Sequence, residues 1–182
     1  VTTENSYATR ITANISQITS PLISPDGKQI AYVGREDGNT EVYVMPTKGG
    51  VSKRLTYDGF FISKIASWDG NNKIIYTSDA KQPFSRISDL REISTNGGES
   101  KPLNFGICSN ISKNDRFTVI GRNTQDPARW KRYKGGTAGE LWISSSTNKK
   151  FKKLIKLNGN MACPMIIKNK IFFISDHDGI GN

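Results

Sequence analysis

Apolar and polar positions alternate along this chain in short runs that end on turn residues. Four runs stand out: Gln29-Ile-Ala-Tyr-Val-Gly34, Lys73-Ile-Ile-Tyr-Thr-Ser78, Arg116-Phe-Thr-Val-Ile-Gly121 and Lys170-Ile-Phe-Phe-Ile-Ser175. Each is rich in β-branched and aromatic residues, the composition of a buried strand. Each follows a polar turn: Ser24-Pro-Asp-Gly27, Ser67-Trp-Asp-Gly70, Ser112-Lys-Asn-Asp115 or Ile167-Lys-Asn169. Asp, Asn and Gly tolerate the positive φ that tight hairpins require.

A second set of runs follows the first three: Glu41-Val-Tyr-Val-Met-Pro46, Asp89-Leu-Arg-Glu-Ile-Ser94 and Glu140-Leu-Trp-Ile-Ser-Ser145. Their alternation predicts half-exposed strands. They lead into Gly49-Gly50, Gly97-Gly98 and Thr147-Asn148, and then into a third set: Ser52–Tyr57, Ser100–Phe105 and Phe151–Lys156. The basic residues and Pro102 of this third set suit outer strands, where charge and proline discourage edge pairing. Ala8–Ala13 matches the same set. A further strand leading into each polar turn, such as Gln17–Ser24, completes a four-stranded unit. The unit recurs every 43 to 54 residues, the longest interval reflecting an insertion around Gln125–Gly139.

Four strands at that period predict an all-β chain, a β-propeller of four-stranded antiparallel blades. No stretch carries helical periodicity with caps. The predicted repeats are 15–58, 59–106, 107–158 and an incomplete 159–182, with residues 1–14 the outer strand of a preceding blade. About four blades are present, which reads as an arc of a larger ring. The first residue is Val, so we expect a chain that was processed or cut from something longer.

Charge and chemistry add detail. The 182 residues are 35% hydrophobic and 23% charged, with a net charge of +10, a globular balance whose field attracts acidic partners. No apolar run approaches the roughly 20 residues of a membrane helix, and VTTENSYATR has no apolar signal core. Between Arg122 and Lys156 lie ten Lys/Arg against Asp126 and Glu140. Four of these cations, Arg129, Lys131, Arg132 and Lys134, interleave with Trp130 and Tyr133 in the insertion. Cations beside aromatics can grip a peptide carboxylate or a nucleic-acid backbone; the alternative is a solvated loop. The solvated loop is the first reading; of the two ligands peptide, or a partner domain, is the better fit, and neither nucleic acid nor membrane is expected as a partner. Trp68, Trp130 and Trp142 are expected to pack in or between blades.

His177 is the single histidine, too few for a Ser–His–Asp triad in cis or a two-His metal site. Asp176-His177-Asp178-Gly179 reads as a hairpin turn, lacking the spaced oxygens of a calcium loop. Cys108 and Cys163 stand alone, against a disulfide framework and in keeping with a reducing cytoplasm. No catalytic residue, metal or cofactor is expected in this chain.

Ser24-Pro-Asp-Gly27, QIAYV, EVYVM, Gly49-Gly50 and RLTYDG resemble the propeller repeat shared by TolB, prolyl-oligopeptidase relatives and tricorn proteases. Ser78–Ser85, Ile120–Thr124, Trp130–Thr137, Glu140–Ile143 and Lys170–Gly179 resemble, in order, the first propeller of the archaeal tricorn-type peptidases. That family comprises large cytosolic serine proteases that degrade oligopeptides. Its pattern places a six-bladed propeller first, then a seven-bladed one, with the Ser/His residues in later domains. The resemblance implies a non-catalytic arc of the six-bladed ring, acting as scaffold and as gate or conduit for peptides. It implies a cytoplasmic parent, oligopeptides and the parent's other domains as partners, and homo-oligomerisation through the parent. A stand-alone TolB-like interaction propeller is the alternative. One departure is clear: the join Leu55–Ile62 is short and lacks the arginine pair that such peptidases use to receive a peptide's C-terminal carboxylate, so no substrate-anchoring residue carries over there.

Overall fold

The computed structural model describes residues 8–12, 15–36, 38–85, 87–124, 135–148 and 150–179. Among them there is no helix. Fourteen strands run in chain order: β1 Thr19–Ile23, β2 Gln29–Gly34, β3 Glu41–Pro46, β4 Lys53–Arg54, β5 Ile62–Asp69, β6 Lys73–Ser78, β7 Asp89–Ser94, β8 Lys101–Pro102, β9 Asn110–Lys113, β10 Phe117–Arg122, β11 Glu140–Ser145, β12 Lys152–Lys153, β13 Met161–Ile167 and β14 Lys170–Ser175. They form three four-stranded sheets, β1-β2-β3-β4, β5-β6-β7-β8 and β12-β11-β10-β9, and the two-stranded sheet β13-β14. Each described pairing is antiparallel between chain neighbours, as the repeat predicts.

The turns form for local reasons. Asp26 Oδ1 accepts the Ser24 hydroxyl at 2.7 Å and the Lys28 amide at 3.1 Å. Gly27 N donates to Ser24 O at 2.9 Å, and Gly27 adopts φ +72°, where a Cβ would be strained. Asn114 Oδ1 closes the corresponding turn before β10 by accepting the amides of Arg116 and Phe117. That turn keeps Arg116 out of the strand, so β10 begins one residue later than the apolar run alone suggests. The outer strands β4, β8 and β12 are only two residues long. The first is cut short because the Thr56 hydroxyl, not a backbone carbonyl, takes Val42 N. Residues 8–12 lie outside these strands; Arg10 Nε bonds Thr12 O there.

The chain divides into two compact units, residues 1–76 with 92–101 and residues 77–91 with 102–182. In the first, Ala31, Val33, Val42 and Val44 present one face of β1–β4. They share a core with Ile62, Ile65 and Trp68 of β5 and with Ile74, Tyr76 and Ile93. Trp68 is thus core, as expected, and its Nε1 donates to Leu22 O at 3.0 Å. The opposite face carries Tyr32 and Tyr43, stacked at 5.5 Å, together with Met45. In the second unit Val119, Leu141 and Met161 form one buried cluster, with Ile143, Leu154, Ile166, Ile171 and Phe173 packed on it.

Neither cysteine is in a disulfide. His177 sits in a turn: Gly179 N donates to Asp176 O at 2.9 Å, and His177 Nδ1 lies 3.2 Å from Ser175 Oγ.

Candidate functional site

The β10–β11 connection, residues 123–139, carries the cations singled out in the sequence. Arg129, Lys131, Arg132 and Lys134, with Trp130 and Tyr133, lie outside the described residues. Both ends of the connection are described, and buried polar bonds fix both.

At the first end, β10 pairs with β9, Gly121 opposite Asn110 and Ile120 opposite Ile111. Thr124 is buried beside them. Its hydroxyl meets Ser109 Oγ at 3.1 Å, and Asn110 Nδ2 donates to the Thr124 carbonyl at 3.2 Å and to its hydroxyl. Gly121 leaves room for this: a Cβ there would lie 2.6 Å from Thr124 Oγ1. Ser109 is itself held, its carbonyl accepting the Thr77 hydroxyl at 3.1 Å.

At the second end, Gly139 N donates to Asn160 Oδ1 at 3.1 Å, and Met161 N donates to Gly139 O at 3.0 Å. A Cβ at Gly139 would stand 2.4 Å from Met161 O, so glycine is required for close approach. Asn160 is clamped in turn, its Nδ2 donating to Asp176 Oδ2 at 3.1 Å and its backbone N to Asp176 Oδ1 at 2.6 Å. Satisfied buried polar groups of this kind specify a single arrangement.

Between these ends the strand register puts Arg122 opposite Glu140 and Trp142 opposite Lys153. Glu140 Oε1 accepts Lys153 Nζ at 2.6 Å and Oε2 accepts Trp142 Nε1 at 3.1 Å. Lys153 above all holds the Glu140 carboxyl below its ordinary range, with Trp142 and Arg122 adding to the effect against a partial burial cost. The Arg122 guanidinium and the Lys153 ammonium stand 5.6 and 5.8 Å from the Trp142 ring centre, within cation–π range. Trp142 is therefore a half-buried platform for cations, because its strand face also carries Arg122 of β10 and Lys153 of β12. A cleft of about 170 Å³ opens beside this group, lined in part by Gly139, Glu140, Lys153, Ile155, Lys156 and Met161. The lysines of this lining, Lys153 and Lys156, suit an acidic ligand.

Sequence reasoning did not find this group. Its signal is an acidic residue opening the third strand of a repeat and a cation thirteen positions on: Glu140 and Lys153 here, Glu41 and Arg54 in the first repeat. In the second repeat Asp89 is followed thirteen positions on by Pro102. Burial, before any other cause, raises the Asp89 carboxyl, against the pull of Arg91.

Nothing described assembles a hydrolytic centre. Burial pushes the Cys108 thiol up to about 12, the opposite of a reactive cysteine. The Ser175 hydroxyl that meets His177 Nδ1 also accepts His177 N at 3.3 Å, a contact that closes the turn. No group of three or more His, Cys, Asp or Glu that could hold a metal occurs among the described residues, and no described helix is long and apolar enough to cross a membrane.

Successive four-stranded antiparallel sheets, joined in chain order at a near-constant period, define a β-propeller domain. The chain belongs to the family described as "Tricorn protease N-terminal beta propeller domain", whose model matches residues 1–182. It is 40% identical over 179 residues to the "Tricorn protease homolog" of Saccharolobus solfataricus, covering 95% of this chain and 16% of that relative. It is 34% identical over 148 residues to the "Putative Tricorn-like protease N-terminal subunit" of Sulfurisphaera tokodaii, covering 79% of this chain and 75% of that protein. The "Crystal structure of the tricorn protease" matches with a TM-score of 0.79 and 32% identity, over 94% of this chain and 18% of that one. The chain thus spans about a sixth of the length of its full-sized relative.

Proposed function

We propose that this chain is a non-catalytic propeller portion of a tricorn-like cytoplasmic peptidase that degrades oligopeptides, and that it serves as scaffold and as gate or conduit for peptides. Its partners are then oligopeptides and the other domains of the parent, which assembles as a homo-oligomer. In this reading Arg129, Lys131, Arg132 and Lys134 meet the peptide's carboxylates. What supports the reading is the anchoring of the insertion at both ends, by Thr124 and by Gly139, next to a cation-bearing Trp142. Loops carried on rigid scaffolds are disproportionately the sites of binding.

The test is binding of an oligopeptide with a free C-terminal carboxylate to the intact protein and to a double variant, Arg129→Ala with Arg132→Ala. Attraction through exposed cations weakens with salt, since screening at about 0.15 M acts beyond roughly 8 Å. The expected result is weaker binding by the variant at low salt and convergence of the two at high salt. Equal affinities at low salt overturn the peptide reading.

A further inference from the structure

The first and third repeats pair their last two strands in one register. Arg54 faces Tyr43 and Lys53 faces Val44; Lys153 faces Trp142 and Lys152 faces Ile143. The next residue bonds back identically in each, Leu55 N to Val42 O at 2.8 Å and Leu154 N to Leu141 O at 2.9 Å. The joins that follow, Leu55–Ile62 and Leu154–Met161, are equally long, so they correspond residue by residue. Thr56 matches Ile155, Gly59 matches Asn158, Phe60 matches Gly159, and ahead of the third strand Thr40 matches Gly139.

In the first repeat Glu41 fills the space between the join and the start of β3. Its side chain is 1% exposed. The carboxylate accepts Arg54 Nη2 at 2.9 Å, the Thr56 hydroxyl, and the Gly59 amide at 3.4 Å. Thr40 adds its hydroxyl, which accepts Ile62 N at 2.7 Å. The third repeat repeats none of this filling. Ile155 has no hydroxyl and Gly139 no side chain. Glu140 turns outward, 35% exposed, onto Lys153 and Trp142. The space opens as the cleft of about 170 Å³ between residues 155–159 of the join and the end of the insertion, Gly135, Ala138 and Gly139. A Cβ at Gly159 would stand 2.7 Å from His177 Cα, so that wall admits no side chain of its own.

The cleft thus offers what Glu41 satisfies in the first repeat, a cation and a join amide, without a carboxylate from the chain itself. Among the described residues Lys156 forms no ion pair and Asn158 N no hydrogen bond. Leu157 and Met161 supply apolar wall. Cavities of about 150 Å³ admit a benzene-sized group, so there is room for one side chain, and an ammonium with an amide is a strong donor set for a carboxylate.

We propose that this cleft is an acidic side-chain pocket, which seats a Glu or Asp side chain of a bound oligopeptide. The carboxylate lies on the Lys156 ammonium and the Asn158 amide, and the methylenes lie against Leu157 and Met161. The pocket rests on the peptide reading given above and adds to it a sequence preference. Glu41 argues for a side chain over a chain terminus, since a glutamate side chain occupies the corresponding space in the first repeat.

The test is equilibrium binding, at low salt, to the intact protein in its native assembly. The probes are Ala-Ala-Glu-Ala-Ala and Ala-Ala-Gln-Ala-Ala, each with a free and with an amidated C-terminus. The Glu peptide is expected to bind about 10-fold tighter than the Gln peptide in both forms. Lys156→Glu and the milder Lys156→Gln abolish that preference. Lys152→Glu, at an exposed residue outside the cleft, makes the same charge change as the first and keeps it. A preference that survives both Lys156 variants, or that Lys152→Glu removes equally, overturns the pocket and leaves peptide binding standing. A Glu preference that vanishes on amidation assigns the carboxylate to the chain terminus and overturns the side-chain pocket. Failure of all four peptides to bind overturns the peptide reading and the pocket with it.

Discussion

Glu41 and Arg54 meet at 2.9 Å between β3 and the end of β4, with 1% of the Glu41 side chain and 20% of Arg54 exposed. Glu41 also accepts the Thr56 hydroxyl and the Gly59 amide, so one carboxylate ties the strand to the join that follows it. Glu140 and Lys153 repeat the pair at 2.6 Å, but with 35% and 52% exposed. Burial separates their worth. Removing one partner of a buried, fully bonded pair strands the other, whereas an exposed pair gains little over solvent. Glu41→Ala is expected to lower stability by about 3 kcal/mol, and Lys153→Ala by no more than about 1 kcal/mol. Urea unfolding of both variants measures the difference, and equal losses would contradict it.

Asp89 opens β7 as Glu41 opens β3, but it lacks the matching cation. Its Oδ1 is buried without a hydrogen bond among the described residues. Burial raises its carboxyl above 3.8, so the folded state binds the proton more tightly than the unfolded chain. The cost of its charge is absent below pH 3.8 and appears as pH rises through the raised folded value. Asp89→Asn is therefore expected to stabilise the protein near pH 7 and to be neutral at low pH. Urea midpoints across that range decide; a variant less stable at pH 7 would mean that the attraction of Arg91 outweighs burial.

Cys108 predicts sensitivity to alkali. Its thiol is raised from 9.0 to about 12 by burial. Below pH 9 it is neutral in both states and contributes no pH dependence. Between pH 9 and 12 only the unfolded thiol ionises, so stability falls as pH rises, by at most about 1.4 kcal/mol per pH unit from this group. Cys108→Ala should flatten that part of the stability curve relative to the parent, measured by urea unfolding at several alkaline pH values. Parallel curves would refute the assignment.

Gly139 and Gly97 are glycines for different reasons. Gly139 is hemmed in by Met161 O, whereas Gly97 sits at φ +86° with open space around it. Gly139→Ala should cost about 2 kcal/mol by displacing β13 from the β11 approach. Gly97→Ala should cost about 1 kcal/mol of local backbone strain. Hydrogen exchange at the Met161 amide should rise only in the first variant. An unchanged rate there would show that the contact yields without moving the strand.

The repeat, the turns and the all-β class were legible in the sequence because their causes are short-range. Ser24, Asp26 and Gly27 satisfy one another within a few residues, and strand alternation is a period-two signal that needs no partner. The acidic opening of each third strand was visible too, though not its meaning. Tertiary pairing decided the rest. The bulges at Ser20-Pro21 and Cys163-Pro164 exist only relative to the neighbouring strand's register. The start of β10 at Phe117 depends on Asn114 taking two amides. Trp142 takes Lys153 and Arg122 as neighbours across the sheet, and no local pattern marks which tryptophan receives such neighbours. Glu41 and Glu140 are alike in sequence and different in burial, since burial depends on residues brought together from distant parts of the chain.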